Sequence, residues 1–449
     1  MNSKAVAGCL ILGGLWLTGS LVHGATLRVN TTGTETPPYD NWENAARSIQ
    51  TAVLAAGDED DVIVSNGTYT LTGPIVVTNG VTVHSVNGAA VTIVDGNDLT
   101  RCFYLSHSNA LVDGFTVTRG RDPAAGAGVY ILSRGTVRNC VVTNNHVTRD
   151  WGFSAAGIVL DGGGTVENSL IAGNTHLSPS YGSTWGGGIF CSGGGMVNNC
   201  RIIGNRSGYN GAGVLVFYGG TIRNCLLTGN QAFNDGGGIF LWKGGEVENC
   251  TISGNNAYRG GGIKTVVDTG GSRPQIRNTI IYGNSASSQC ADMDDRDNYG
   301  GATYSNNCAS ANSSCVPMPG SGNISTDPKF VGGSFWLSTN SSCVNAGVIL
   351  PWMTGALDLA GNPRIVGGLV DMGAYETTSI LDQTISIWSA IEITWPSSSN
   401  VSYQVQSTTN LSTSNWINLG NPIIGNGSVM SVFDSARSKN ANFYRLIAH

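Results

Sequence analysis

The residues best suited to chemistry are aromatic, and they recur in one loop of a repeating phrase. Trp151 and Phe153, Tyr181 and Trp185, Tyr209, Phe233 and Tyr258 each fall between an Asn and a Gly-rich step into the next apolar run. If successive loops share a side, the rings form a stripe on which the apolar faces of sugar rings can stack, and a polysaccharide is a long ligand suited to a long stripe. The two longest loops, Arg149 to Ala155 and His176 to Trp185, are the natural binding segments. Trp151, Tyr181, Trp185, Tyr209, Tyr258, Arg149 and His176 form the candidate substrate-binding set, with His146 and Arg206 placed to join it. The competing reading is that the rings merely shield the edges of the repeats.

A second kind of chemistry is offered by the one acidic cluster, Asp292-Met293-Asp294-Asp295-Arg296-Asp297-Asn298. Calcium takes about six to eight oxygen ligands, and Asp292, Asp294, Asp295 and Asp297 are the candidate Ca2+ ligands. The run lacks the Gly and Glu of an EF-hand loop, and a solvated acidic loop explains it equally. Glycoside hydrolysis needs two carboxylates about 5–9.5 Å apart. Elsewhere the acids are scattered as Asp161, Glu167, Asp235, Glu246, Glu248 and Asp268, with no evident pair.

The elements that must position these residues come from an internal repeat. Val137-Arg138-Asn139-Cys140 recurs as Val166-Glu167-Asn168-Ser169, Val197-Asn198-Asn199-Cys200, Ile222-Arg223-Asn224-Cys225, Val247-Glu248-Asn249-Cys250 and Ile276-Arg277-Asn278-Thr279. The steps between the Asn residues are 29, 31, 25, 25 and 29. A second Asn follows at a matched offset (Asn145, Asn174, Asn205, Asn230, Asn255, Asn284), then a Gly step such as Gly213-Val214 or Gly238-Ile239. So short a period, with short strands and no helical pattern, marks an all-β solenoid whose coils stack about 4.8 Å apart. Asn139, Asn168, Asn199, Asn224, Asn249 and Asn278 are expected to form an amide ladder at the bends. The adjoining Cys140, Cys200, Cys225 and Cys250 read as packed interior thiols. Gly makes up 64 of 449 residues, twice the ordinary share of about 7%, and the repeats use it once per corner.

The flanks complete the plan. Residues 1–24 read as a signal peptide, with Lys4, an apolar run from Ala5 to Leu17, and Gly24 at the cleavage point. No long apolar run follows it, so the mature chain is expected to be secreted, extracellular or at the cell surface, without a transmembrane segment. Net charge is −6 and no basic run exists, which argues against nucleic acid as a partner. In an oxidising compartment Cys290, Cys308, Cys315 and Cys343, outside the repeat, are expected to form one or two disulfides in one of three pairings. Asp40 to Ala56 is the best helix, capped at Asp40 or Asn41, and is expected to cover the open end of the solenoid. After Thr377 the alternations Ile391-Ile393-Trp395 and Val401-Tyr403-Val405, with Ser/Asn/Gly turns, predict a small β-sandwich over 377–449.

The repeat and the entry segment Asp61-Val62-Ile63-Val64 resemble the right-handed parallel β-helix of the pectate-lyase-like superfamily, over residues 25–376. Asn323 to Phe330, Trp336-Leu337, Ser342 to Gly347, Asp358, Gly361 to Arg364 and Val370 to Glu376 resemble the choice-of-anchor Q region of secreted bacterial β-helix proteins, over 287–376. The tail resembles fibronectin-III-like modules. The resemblance implies an exported protein whose fold serves lyases, hydrolases, epimerases and adhesins alike. The Asp set with an Arg or Lys base of β-helix pectate lyases is not found. Nor is the Asn-Thr-Asp, Asp-Asp, Gly-His-Gly, Arg-Ile-Lys series of polygalacturonases. Carbohydrate binding to a polysaccharide or cell-surface glycan is therefore the first expectation. The alternatives are a polysaccharide lyase or glycoside hydrolase, and a structural adhesin or surface-layer component.

Overall fold

The apolar residue at the centre of each short strand meets its copy in the next coil, and this repetition builds the molecule. The computed structural model describes residues 24–122, 125–148, 152–177, 184–288, 290–296, 301–310, 318, 320–377, 390–412, 415–435 and 443–448. They divide into two compact units, at 378/379.

In the first unit each full coil gives one strand to each of four parallel sheets. One coil runs Val214–Phe217, Thr221–Arg223, Leu226–Thr228 and Gln231–Ala232 before the next begins at Ile239. Sheet 1 has eleven strands from Thr26–Val29 to Thr303–Ser305, and sheet 2 ten from Gly67–Thr70 to Cys308–Ala309. Sheet 3 has seven two-residue strands from Arg121–Asp122 to Ser285–Ala286, and sheet 4 nine from Ile75–Val77 to Met293–Asp294. The chain thus forms a parallel β-helix. The core fills the tube: Val137, Val166, Val197, Ile222, Val247 and Ile276 stack in sheet 1, and Val142, Ile171, Ile202, Leu227, Ile252 and Ile281 in sheet 2, all fully buried. Each such side chain contributes about 1.5–3 kcal/mol of burial.

The two Asn columns have different tasks. The first, expected to be the ladder, sits at the corner between sheets 1 and 2 in the left-handed conformation, with φ of 53°, 50°, 55°, 55°, 47° and 51° from Asn139 to Asn278. Asn tolerates this region better than other residues with a Cβ. Its amides link only some neighbours: Asn199 Nδ2 donates to Asn168 at 2.6 Å, Asn224 to Asn199 at 2.9 Å and Asn278 to Asn249 at 3.1 Å. Asn139 donates instead to Asp113. The unbroken buried ladder belongs to the second column. From Asn145 through Asn174, Asn205, Asn230 and Asn255 to Asn284, each Nδ2 donates to the next Oδ1 at 2.8–3.0 Å. Each Oδ1 from Asn174 onward also accepts the backbone N–H of the Asn before it.

Gly at the step into sheet 4 is needed for close approach between coils. A Cβ on Gly213 would lie 2.4 Å from the Gly238 carbonyl oxygen, in backbone that cannot yield.

The N-terminal helix caps the tube as expected, but it is short. It spans Ile49–Ala55, with Ser48 as N-cap and Ile49, Ala52 and Val53 buried. The expected start at Asp40 fails because Ala46 pairs with the first strand: Ala46 N donates to Arg28 O and Asn30 N to Ala46 O. That pairing commits 40–47 to turns.

Residues 323–377 form a belt on the last coils, held by corner amides. Asn224 Nδ2 donates to Leu357 O, Asn249 Nδ2 to Asp371 O and Asn278 Nδ2 to Val348 O. Inside the belt Arg364, fully buried, pairs with Glu376 at 3.1 Å and donates to Asp371 O. Burial pushes Glu376 up to about 8, against the pull of Arg364.

The second unit is antiparallel. Ala390–Pro396 pairs with Val429–Ser435, and Ser402–Thr408 pairs with Ile417–Asn418, Ile423–Ile424 and Phe443–Ala448. Trp395, Tyr403 and Val405 form its core, an arrangement consistent with a small β-sandwich.

Candidate functional site

On the outside of the tube, sheet 4 departs from the alternation of a half-exposed strand. Ile-Phe-Leu-Trp (239–242) and Val-Leu-Val-Phe (214–217) carry apolar residues on both faces. The outward positions stack in two rows. One runs Tyr104, Tyr130, Val159, Phe190, Leu215, Phe240, Lys264, Asp294; the other runs Asp161, Ser192, Phe217, Trp242, Val266. Outward apolar side chains on this scale need a covering group or a ligand.

Trp185 lies on this face. Its strand, Thr184–Trp185, pairs in parallel with Gly152–Phe153 above. The indole stacks on Trp242 with centroids 5.3 Å apart and planes at 22°, and meets Phe240 edge-on at 5.5 Å and Tyr209 at 5.7 Å. Phe217 touches Trp242 at 5.0 Å and Tyr218 at 4.2 Å. Phe240 is buried beneath, while Trp185, Tyr209, Phe217 and Trp242 are half-buried and Tyr218 is exposed.

A polar rim borders the rings. Trp242 Nε1 donates to Asp268 at 3.4 Å, and Lys243 Nζ lies 3.2 Å from the same carboxylate. Lys243 also donates to the Tyr218 hydroxyl at 3.1 Å and sits over the Tyr218 ring, 4.8 Å from its centre. The Tyr218 hydroxyl and Asp268 raise the Lys243 ammonium above its ordinary range. Beside it Tyr218, Thr221, Lys243, Glu246 and Arg273 line a hollow of about 390 Å³ over two glycine pairs.

Each end of the face carries paired charges. On one side Arg101 lies over Tyr130 at 4.9 Å, and the Tyr130 hydroxyl donates to Asp161 at 2.6 Å. Burial, reinforced by Asp161, holds that hydroxyl far above the usual phenol range. On the other side Lys264 is 3.5 Å from Asp294, and Arg259 grips Asp235 with two bonds of 2.8 Å. Asp161, Asp235, Asp268 and Asp294 are thus each engaged by a protein donor. The chemistry this arrangement offers is stacking of flat apolar surfaces with hydrogen bonding at the margin.

The structure brings together two members of the expected binding set, Trp185 and Tyr209. Tyr258 and the neighbouring Phe233 are exposed on their own loops, at 49% and 68%. Arg149, Trp151 and Tyr181 lie outside the described residues. His176 is fully buried, its Nδ1 3.1 Å from Trp185 O and 3.2 Å from Gly186 O, so its ring shapes the turn that presents Trp185. His146 and Arg206 lie on sheet 3, two coils apart. The strand-borne Phe217, Phe240 and Trp242, and Lys243 directly after the strand, are not singled out by the repeat phrase. Their signal is the apolar residue at both parities of the strand.

Among the candidate calcium ligands, Asp292 Oδ1 accepts from Asn284 N and Nδ2 at 2.9 and 3.0 Å and ends the Asn ladder. Burial raises its carboxyl. Asp294 is gripped by Arg296 and Lys264. Burial pushes it up, but these cations outweigh burial and hold it below the usual carboxylate range. Asp295 accepts from Thr265 Oγ1, Ala302 N and the Tyr304 hydroxyl. Asp297 lies outside the described residues, among which no three His, Cys, Asp or Glu side chains converge as a metal requires.

Of the four cysteines outside the repeat, Cys290 is disulfide-bonded, whereas Cys308 and Cys343 are free thiols. Cys315 lies outside the described residues. The interior cysteines Cys140, Cys200, Cys225 and Cys250 are free and buried.

A family model described as a right handed beta helix region matches residues 47–256. Among solved structures the chain is similar to the crystal structure of pectate lyase Pel9A, at 16% identity and a TM-score of 0.42, covering 79% of this chain and 97% of that one. No curated protein matches the chain.

Proposed function

We propose that the chain is a secreted or cell-surface right-handed β-helix protein that binds extracellular carbohydrate on the outward face of sheet 4. One observation carries this reading: the continuous set of half-buried rings Trp185, Tyr209, Phe217 and Trp242, bordered by the Lys243–Asp268 pair. Flat rings offer stacking surfaces to the axial C–H faces of sugars, and the rim offers a donor and an acceptor to their hydroxyls. Rings held in place by one another lose little entropy on binding. The apolar start of the chain supports export.

The test is to incubate the full chain with a panel of acidic and neutral polysaccharides and measure both retention and products. Retention without cleavage, weakened about tenfold by Trp185→Ala or Trp242→Ala, is the expected result. Unsaturated uronide absorbance would replace binding by a lyase, and new reducing ends would replace it by a hydrolase. No retention on any polymer would overturn the glycan reading in favour of a structural adhesin or surface-layer component.

A further inference from the structure

Cys308 breaks the register of the interior thiols. In the earlier coils the residue after the corner Asn points into the tube, as Cys250 and Thr279 do. In the last coil Asn306 takes the corner, with φ of 52°, and Asn307 takes the inward place, its Oδ1 accepting from Thr279 N at 2.9 Å. Cys308 is therefore pushed one position on, in register with Ile280, to the outward face of sheet 2. There it meets the belt. Ile280, Cys308, Leu337, Cys343 and Met372 form one buried cluster at the seam between the last coil and 323–377. At this seam Cys308 Sγ donates to Thr326 O at 3.2 Å and the Thr326 hydroxyl bonds Ser342, the neighbour of Cys343, so the two cysteines share one buried cluster, and both are free.

We propose that Cys308 and Cys343 are a redox clasp, a thiol pair that closes to a disulfide and fastens the belt to the last coil. The co-reactant is a small-molecule disulfide. One thiolate attacks it, forming a mixed disulfide and releasing one small thiolate. The second protein thiolate then attacks the protein sulfur of that mixed disulfide and expels the other. One S–S bond is broken and one made, two protons leave the cysteines and end on the two small thiols, and the protein is oxidised by two electrons. The interior thiols differ in access. Cys200, Cys225 and Cys250 lie inside the tube, whereas Cys308 and Cys343 lie outside it, at the seam between the last coil and the belt. The inference does not depend on the glycan reading.

The experiment uses the full chain equilibrated with oxidised and reduced glutathione, denatured in N-ethylmaleimide without reductant, and mapped by peptide mass. The expected result is a linked peptide pair holding Cys308 and Cys343, lighter by two hydrogen atoms than its two free-thiol peptides. Recovery of both cysteines as maleimide adducts overturns the proposal. Cys343→Ser is expected to convert Cys308 to the adduct, and a cross-link from Cys308 that survives this change overturns the pairing. Should that variant fail to fold, hydrogen exchange on the wild-type chain reads the same clasp. Reduction is expected to speed exchange across 323–377 by about tenfold while the coil amides hold, and equal belt exchange in both redox states overturns the fastening role.

Discussion

Asn230 sits in the middle of the buried ladder, and its replacement by Ala tests whether the amide column holds the coils together. The side chain is fully buried. Its Oδ1 accepts both the backbone N–H and the Nδ2 of Asn205, each at 3.0 Å. Its own Nδ2 donates to Asn255 Oδ1 at 2.8 Å and to Ile202 O at 2.9 Å. Asn230→Ala therefore strands two donors of Asn205 where no water reaches. Asn255 Oδ1 is spared, because it still accepts the Asn230 backbone N–H at 3.0 Å. At about 1–3 kcal/mol for each stranded buried group, the expected loss is about 4 kcal/mol.

Asn145 provides the internal comparison. It begins the column, and its Oδ1 accepts only Gly120 N, at 2.8 Å. Asn145→Ala thus strands one donor and should cost about half as much, ~2 kcal/mol. A solenoid can unfold in parts, so a single global midpoint is a poor readout. Hydrogen exchange at the Asn205 and Gly120 amides measures the local opening energy directly. Equal losses at the two positions, or losses under about 1 kcal/mol at Asn230, would refute the idea that stranded donors set the cost.

Three further outcomes follow from the same geometry. Asn199 holds φ at 55°, so Asn199→Ala should lose about 1–2 kcal/mol by urea melting of the local amides while Asn199→Gly loses less; equal losses would place the cost in the amide and not the backbone. Glu376 keeps its proton in the folded protein to about pH 8 but loses it near 4.5 when unfolded, so its contribution is fully present below 4.5 and drains away as pH rises towards 8, by ~1.4 kcal/mol per unit. Glu376→Gln should flatten that slope in melts run across this range, and an unchanged slope would assign it to another group. Trp242→Ala removes the stacking partner of Trp185 and a contact of Phe217, and should cost about 1–3 kcal/mol and shift Trp185 fluorescence; an unshifted spectrum would mean that the two indoles do not stack in solution.

The tube was legible because each coil repeats its short words, and a parallel stack needs like residues in register. Two features escaped for physical reasons. The segment 40–47 has helix-forming residues, but the first strand offers Ala46 a partner, and tertiary pairing outweighs local propensity. The repeat phrase points to loops for the ring cluster, but of its members only Tyr209 and Tyr218 lie off strands, while Trp185, Phe217, Phe240 and Trp242 stand on them. Phe217 and Trp242 lie 25 residues apart in sequence and meet only when coils stack. Arg364, Asp371 and Glu376 were visible as parts of a motif, yet their mutual contacts inside the belt were not, and the hold of Asn224, Asn249 and Asn278 on the belt spans 70 residues or more, which no local pattern encodes.

The four outer faces of the tube differ in what they leave exposed. The tube interior is committed to stacked aliphatics and amides, and any change there is felt by both neighbouring coils. Sheet 1 turns a row of alternating charges outward, with Arg138 on Asp113 and Arg277 on Glu248, which satisfies itself. On sheet 2 the outward row Leu226, Thr251, Ile280 and Cys308 is buried. There the belt bonds to Thr251 and packs against Ile280 and Cys308. Sheet 3 has two-residue strands and presents polar side chains such as Arg206, Gln231 and Asn256. Among the described residues, sheet 4 turns large rings outward, and Trp185, Phe217 and Trp242 stay half-buried there. Leaving that surface wet has a cost that folding does not recover, and a polar residue at Phe217 or Trp242 would remove it without disturbing the core. Under the glycan reading proposed above, a ligand that covers these rings offsets that cost.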